Sequence, residues 1–344
     1  MNNVLVFIGL LLGLLLMSCS QSSSPSTPVK SDVRESLKYD YAMVIHGGAG
    51  FSNPDSFTDE KTRKYTSVLT QALEIGESIL KNGGTSEEAV VEVISHLEDS
   101  PLFNAGKGAV FTHDGQNELD ASIMNGEDRN AGAVAAIRKV KNPIKAARAV
   151  MNHSDHVLLT SDGADQFAVN QGLESVDTSY YFTQKNWDRL QGILSKEKET
   201  GLVDEQYPDW KFGTVGAVAL DKSGNITAGT STGGMTNKKY DRVGDSPLIG
   251  SGTYADNQTC GVSCTGHGEY FIRYGVASDV THRMAYLGES VEESAATVIA
   301  NLKSIGGNGG LIALDADGHA AMPFNTTAMF RGYIAPDTVM VRLF

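Results

Sequence analysis

Gly213-Thr214-Val215-Gly216-Ala217-Val218, continued by the Gly- and Thr-rich run from Ala228 to Gly234, is the stretch that decides how the chain is read. A threonine with glycine before it and an apolar, β-prone run behind it is placed as a nucleophile would be if the preceding peptide bond were cut. Its own amine would then become the base. A free α-amino group, with a reference pKa of about 7.7 to 8.0, can take the hydroxyl proton near neutral pH, and threonine paired with its own N-terminus is a known form of activated nucleophile. Gly213 suits such a scission because, lacking Cβ, it tolerates strained backbone and lets the Thr214 hydroxyl approach its carbonyl. Taken alone, the same six residues read as an ordinary strand start, so the rest of the chain must decide.

Working outward, 41% apolar residues over 344 positions allow one large core or two modest ones. Forty-one acidic against 28 basic side chains, a formal charge of −13, exclude a nucleic-acid partner, whose backbone demands Lys and Arg patches. Val4 to Met17 is an apolar stretch of secretory length, too short to span a membrane comfortably, and it ends at Leu16-Met17-Ser18-Cys19. That ending resembles the lipobox of bacterial lipoproteins. The resemblance implies a signal peptide over 1–18, lipidation at Cys19, a flexible tether over 19–38 and a periplasm-facing outer-membrane location. Cys260 and Cys264, if they share one extended strand, lie about 13 Å apart, too far for a disulfide. They are expected to be free, buried thiols, and without His or acidic partners at ligand spacing they make no zinc site.

Along the chain, Tyr41 to Ile45 reads as a buried strand, and His46-Gly47-Gly48-Ala49-Gly50 as a tight turn whose glycines permit close packing. It lacks the spacing of a phosphate cradle, and His46 reads as a hydrogen-bonded core histidine. Asp59 to Lys81 and Thr85 to Leu97 carry helical periodicity, the second opening with a capping-box pattern. Residues 97–107 read as an irregular loop whose carbonyls could wrap a hard cation. Glu118–Asn125 and Gly132–Val140 are predicted strands, and Pro143–Met151 and Gly163–Asn170 helices. Gln184 to Phe212, rich in charge and amide, is predicted exposed and mobile, as a loose segment before a scission point should be. Beyond it come predicted strands at 214–220, 225–231, 261–265, 311–314, 319–323 and 329–332, with helices at 270–287 and 291–305. Strands flanking two consecutive helices fit a sheet-on-sheet core with outer helices better than a parallel doubly wound sheet.

Several segments line up with one family: HGGAG at 46–50, NAGKGAVFT at 104–112, GTVGAV at 213–218, TSTGGMTNK at 230–238, RVGDSP at 242–247 and SCTGHGE at 263–269. In order and spacing they resemble the plant-type asparaginases, or isoaspartyl peptidases, among the N-terminal nucleophile hydrolases. The resemblance implies an α+β fold, a four-layer αββα sandwich over residues 39–344. Such a domain cuts itself into an α chain ending at Gly213 and a β chain of 214–344, and the cleaved chains pair as a dimer of αβ heterodimers. It implies hydrolysis of L-asparagine and β-aspartyl dipeptides with Thr214 as nucleophile. Thr232 would lie beside it, and Thr265 with the Gly266 amide would form the oxyanion hole. Arg242 would take the substrate carboxylate, Asp245 and the Gly268 carbonyl its ammonium, and Asn104 would support the scissile region. Backbone oxygens of Leu97, Glu98, Ser100, Phe103, Ala105 and Lys107 would hold a structural sodium, with no catalytic cofactor. The insert Lys238-Lys239-Tyr240-Asp241 departs from the family's pattern beside Arg242. A glycosylasparaginase acting on asparagine-linked sugar is the rival within the superfamily. A non-catalytic amino-acid-binding lipoprotein is the rival from another class.

Overall fold

The computed structural model describes residues 39–51, 54–200 and 213–344. The expected signal peptide, the lipidated Cys19 and the tether lie outside the described residues, as does 201–212 of the expected mobile segment.

In chain order the elements are β1 (Ala42–Gly50), α1 (Asp59–Lys81), α2 (Ser86–Glu98), β2 (Leu119–Asn125), β3 (Ala131–Ile137), α3 (Pro143–His153), β4 (Leu158–Thr160), α4 (Ser161–Asn170) and α5 (Gln184–Thr200). Then come β5 (Val215–Leu220), β6 (Ile226–Thr232), β7 (Thr253–Ala255), β8 (Cys260–Gly266), α6 (Gly268–Tyr274), α7 (Val276–Leu287), α8 (Val291–Ser304), β9 (Gly309–Asp315), β10 (Ala320–Ala321), β11 (Ala328–Ala335) and β12 (Thr338–Arg342).

Eight strands form one sheet in the order β12-β11-β1-β5-β6-β2-β3-β4, antiparallel except for β3 and β4, and β10-β9-β8-β7 form a second, antiparallel sheet. Helices α1, α2 and α3 cover the outer face of the large sheet, α7 and α8 that of the small one, and the inner faces pack through β1, β5 and β6 against β8 and β9. This is the αββα sandwich. Strands covered on both faces must be apolar or small throughout, and β5 and β6 read VGAVAL and ITAGTST, buried at every position.

The outer helices show why the sequence folds this way. In α1 the buried Leu69, Ala72, Leu73, Gly76 and Leu80 recur at helical spacing, and Thr58 caps the first turn by accepting the Lys61 N–H at 3.2 Å. Thr85 caps α2 in the same way, accepting the Glu88 N–H at 3.1 Å, and Ser290 and Glu293 form a reciprocal capping box on α8.

Three expectations need correction. His46–Gly50, expected as a tight turn, continues β1 along β11, with a register shift between His46 and Ala49. The predicted helix over 270–287 is two, because Gly275 sits in the left-handed region at φ +55° and ends α6 before α7 begins. The segment predicted mobile from Gln184 is helical to Thr200. Its apolar face is narrow, but Leu190 is buried, the Trp187 ring lies 5.3 Å from that of Phe111, and Asn186 donates to the Gly108 carbonyl at 2.8 Å. Glu197 is bound by Asn237 at 2.7 Å and Lys239 at 3.3 Å, which fastens the far end of the helix.

Candidate active site

The site forms where β1, β5, β6 and β8 converge. The register of β5 on β1 sets Gly216 opposite His46, and that of β5 on β6 sets Val215 opposite Ser231. Thr214, the residue before β5, therefore stands beside the end of β6, and its hydroxyl lies 3.0 Å from that of Thr232. The Gly234 N–H donates to the Thr232 oxygen at 3.1 Å, so the Thr232 hydrogen is free to meet Thr214. Asn104 donates to the Gly234 carbonyl at 2.7 Å and accepts the Val110 N–H at 3.0 Å, while its own carbonyl takes the Gly233 N–H at 2.9 Å. The turn after the nucleophile strand pair is thus clamped to the loop after α2.

Gly213 is buried and holds φ +113°, where a side chain would be strained. A Cβ there would collide with the Asn104 backbone, and a Cβ on Gly48, itself at φ +103°, would stand 2.5 Å from the Gly213 nitrogen. The residue before the nucleophile is therefore wedged between Gly48 and Asn104. His46 holds the other side: its Nδ1 lies 3.1 Å from the Thr214 carbonyl and its Nε2 3.0 Å from the Ser263 hydroxyl. A carbonyl only accepts, so the ring carries its hydrogen on Nδ1 and donates it to Thr214. Burial pulls the His46 pKa down to about 3, against the opposing carbonyl bond, and the ring is neutral. The core histidine expected from the sequence is also a fixed prop of the Thr214 backbone, a link that spacing of 168 residues gave no means to see.

Thr265, near the end of β8, accepts the Ala49 N–H at 3.1 Å, which leaves its own hydrogen available to a developing oxyanion. Gly266 follows, so tightly packed on β9 that a Cβ would stand 2.6 Å from Gly309 Cα. Beyond it a Cβ on Gly268 would stand 2.7 Å from Arg242 Nη2 and 2.9 Å from Asp245 Oδ1. Gly268, Arg242 and Asp245 thus come together.

Asp245 is buried, its Oδ2 meets no hydrogen-bond donor among the described residues, and burial, opposed by Arg242, pushes its pKa up to about 7. A buried carboxylate oxygen without a donor is chemically ready for an ammonium group. Arg242 forks onto Glu269, Nε to Oε1 at 2.9 Å and Nη2 to Oε2 at 3.1 Å. Burial raises the Glu269 carboxyl, but the Arg242 hydrogen bonds outweigh it and the net shift is downward. Glu269 is a residue the sequence reading quoted in SCTGHGE and gave no role.

In the departing insert, Lys238 turns inward, 3.4 Å from Glu118 Oε2, and Tyr240 is 97% exposed. Asn237, just before the insert, and Tyr240 and Asp241 within it take positive φ.

The proposed cation loop closes α2. A Cβ on Gly106, at φ +49°, would collide with the Glu98 carbonyl, and one on Gly108 with the Phe103 carbonyl. The Glu98 carbonyl therefore faces Gly106, and the Phe103 carbonyl Gly108, so closely that only glycine fits at either place. The Glu98 side chain is buried, accepts from Ser231 at 2.7 Å and from the Ile144 N–H at 3.0 Å, and is raised to about 8 by burial. Leu97, Phe103 and Ala105 are buried, as is Ser100, while the Lys107 ammonium reaches away to the Tyr180 ring, 5.4 Å from its centroid. Cys260 and Cys264 are free and fully buried, as expected, with thiol pKa values pushed up by that burial.

A sequence model of the family described as Asparaginase matches residues 39–342. The isoaspartyl peptidase of Escherichia coli K12 is 44% identical, the match covering 85% of this chain and 92% of the relative. The isoaspartyl peptidase/L-asparaginase of Bos taurus is 43% identical over 83% of this chain and 91% of its own, and that of Xenopus laevis 40% identical over 88% and 94%. These matches correct the expected outer-membrane lipoprotein. Relatives from a bacterium, a mammal and an amphibian are each matched over 91% or more of their own length, and the family model begins at residue 39, so what is shared is the hydrolase fold and not an envelope anchor. Among the described residues, no helix is long and apolar enough to cross a membrane. From residue 39 to residue 342 the chain belongs to the asparaginase family, a family of N-terminal nucleophile hydrolases.

Proposed function

We propose that this protein hydrolyses the side-chain amide of L-asparagine and the isopeptide bond of β-aspartyl dipeptides, with Thr214 as nucleophile after self-cleavage of the Gly213–Thr214 bond. The observation that carries the reading is the 3.0 Å contact between the Thr214 and Thr232 hydroxyls directly after a glycine held at φ +113°. In the first reaction the Thr214 oxygen attacks the Gly213 carbonyl carbon, the C–N bond breaks, and the acyl group passes from nitrogen to oxygen. Water then opens the ester, leaving a Gly213 carboxylate, a free Thr214 hydroxyl and a free amine.

In the second reaction that amine takes the hydroxyl proton while the oxygen attacks the substrate's side-chain carbonyl carbon. Thr265 and the Gly266 N–H face the oxyanion; losing one such donor typically raises the barrier by about 2.7 to 4 kcal/mol. The proton passes to the leaving nitrogen, ammonia or an amino acid departs, and water releases aspartate from the β-aspartyl ester. Arg242 serves the substrate carboxylate, Asp245 and the Gly268 carbonyl its ammonium. The unpartnered Asp245 Oδ2 supports that assignment. The relatives' names, isoaspartyl peptidase and L-asparaginase, support the substrate class.

Two further readings accompany this one. The cleaved chains pair as a dimer of αβ heterodimers. Backbone oxygens of Leu97, Glu98, Ser100, Phe103, Ala105 and Lys107 would hold a sodium ion in the loop that carries Asn104, carbonyl oxygens being the donors a hard cation takes.

Kinetics on three substrates test the function. L-Asparagine and β-Asp-Leu should both be turned over, and asparagine-linked N-acetylglucosamine poorly. Turnover of the glycosylated substrate alone would transfer the protein to the glycosylasparaginase reading.

A further inference from the structure

Between the two sheets runs a line of polar side chains that the mechanism above does not use. His46 on β1, Ser263 on β8, Thr230 on β6, Thr253 on β7 and Ser122 on β2 are each fully buried. His46 Nε2 lies 3.0 Å from the Ser263 oxygen, Ser263 2.6 Å from Thr230, Thr230 2.6 Å from Thr253, and Thr253 2.7 Å from Ser122. At one end His46 Nδ1 meets the Thr214 carbonyl at 3.1 Å; at the other, Ser122 meets the Ser246 carbonyl at 2.6 Å. Ser246 follows Asp245, and Gly252 packs so closely on their shared peptide that a Cβ there would stand 2.8 Å from Ser246 Cα. The line therefore begins at the nucleophile and ends on the ledge that carries Asp245.

Counting hydrogens shows that this line cannot be satisfied throughout. Both ends are carbonyls, which only accept. The ring is neutral, since burial holds its pKa near 3, and its single hydrogen is committed to Thr214. Four hydroxyl hydrogens remain for five contacts, from Nε2 to the Ser246 carbonyl. The 3.2 Å approach of Thr230 to the Gly252 carbonyl adds no obligation, because that carbonyl already accepts the Cys264 N–H at 2.9 Å.

At least one contact therefore always lacks a hydrogen, and rotating the hydroxyls moves the gap without transferring a proton. With every hydroxyl turned toward His46, Nε2 accepts from Ser263 and the Ser246 carbonyl goes unserved. With every hydroxyl turned away, Ser246 is served and Nε2 is not.

We propose that Ser263, Thr230, Thr253 and Ser122 form a positioning relay that couples occupancy of the Asp245 ledge to the grip of His46 on the Thr214 carbonyl. The proposal rests on the reading that Asp245 takes the ammonium of an aspartyl ligand. An ammonium bound there draws electron density from the neighbouring Ser246 carbonyl and weakens it as an acceptor for Ser122. The hydroxyls then turn toward His46. A ring that accepts at Nε2 donates more strongly from Nδ1, because successive hydrogen bonds polarise one another. A bound substrate thereby tightens the hold on the nucleophile.

The test is 15N NMR of the histidine-labelled, full-length wild-type enzyme with L-aspartate as probe, binding being followed independently by calorimetry. Binding should shift the His46 Nε2 resonance toward its hydrogen-bonded position and move the Nδ1 proton downfield. In Ser122→Ala the remaining three hydroxyls just suffice for the contacts that are left. Nε2 should then sit at the bonded position without ligand, and aspartate should no longer move it. Thr253→Val, on the other sheet, leaves the Ser122 bond to Ser246 in place and should give the same locked signal, which loss of the ledge bond alone would not. Aspartate that binds the wild type without moving the His46 signals overturns the relay, as does an unchanged response in both variants. Failure of aspartate to bind at all overturns the proposed substrate class first and the relay with it.

Discussion

The hydroxyls of Thr214 and Thr232 lie 3.0 Å apart, and the Gly234 N–H donates to the Thr232 oxygen at 3.1 Å, which leaves the Thr232 hydrogen available to Thr214. A donor on the nucleophile's oxygen stabilises the negative charge it gathers as its proton leaves, and it fixes the rotamer from which attack occurs. Thr232→Val keeps the shape and removes the bond. At about 1 to 1.5 kcal/mol for one such hydrogen bond, kcat should fall roughly fivefold to tenfold with KM little changed. Thr232→Ser, which keeps the hydroxyl, should restore most of it. Steady-state kinetics on L-asparagine check both.

Gly48 and Gly213 are in backbone contact, with Gly48 at φ +103°. Gly48→Ala puts a methyl 2.5 Å from the Gly213 nitrogen and strains its own backbone. The scissile residue must then shift, and self-cleavage should slow by at least tenfold while most of the fold, away from this loop, persists. A time course of chain separation on denaturing gels, with circular dichroism as the control, measures it.

Burial holds the free Asp245 carboxyl at about 7, above the unfolded value of about 3.9, despite Arg242 nearby. The sign follows from proton binding: between these two values the folded state holds the extra proton. Its contribution to stability is therefore full below about pH 4 and lost as pH rises through about 7. An ammonium ligand requires the carboxylate, so L-aspartate binding at pH 6 should release a proton from this residue. Affinity should rise with pH up to about 7. Asp245→Asn should abolish that proton release and weaken binding roughly tenfold to a hundredfold. Calorimetry in buffers of different ionisation enthalpy reads both quantities.

Much of the fold was legible because two periodicities dominate it. α1 was predicted to the residue, and β5, β6, β8 and β9 to within two residues at each end, since each carries an unbroken apolar or helical pattern bounded by a cap or turn. β4 and β7 escaped because three residues make no pattern, and α5 because Trp187, Leu190 and Leu194 form a face too narrow to stand out among charges. The candidate site residues stand in motifs that the sequence displays. Their partners were not legible: Glu269 on Arg242 joins positions 27 apart, Ser263 on His46 positions 217 apart. Ser122 and Thr230 read as ordinary strand residues until the second sheet, with Thr253 on a strand that escaped, is stacked on the first. The envelope location was read from a segment outside the shared hydrolase region, where the physics of this fold exerts no constraint.

The central claim is that the base is an amine created by the protein itself. N-terminal sequencing with intact mass of the active wild-type enzyme, alongside Thr214→Ala, tests it most directly. The account predicts a β chain beginning with an unmodified Thr214 and running to Phe344 in the wild type, and a single inactive chain in the variant. A fully active wild type whose Thr214 nitrogen is still bonded to Gly213 would contradict it.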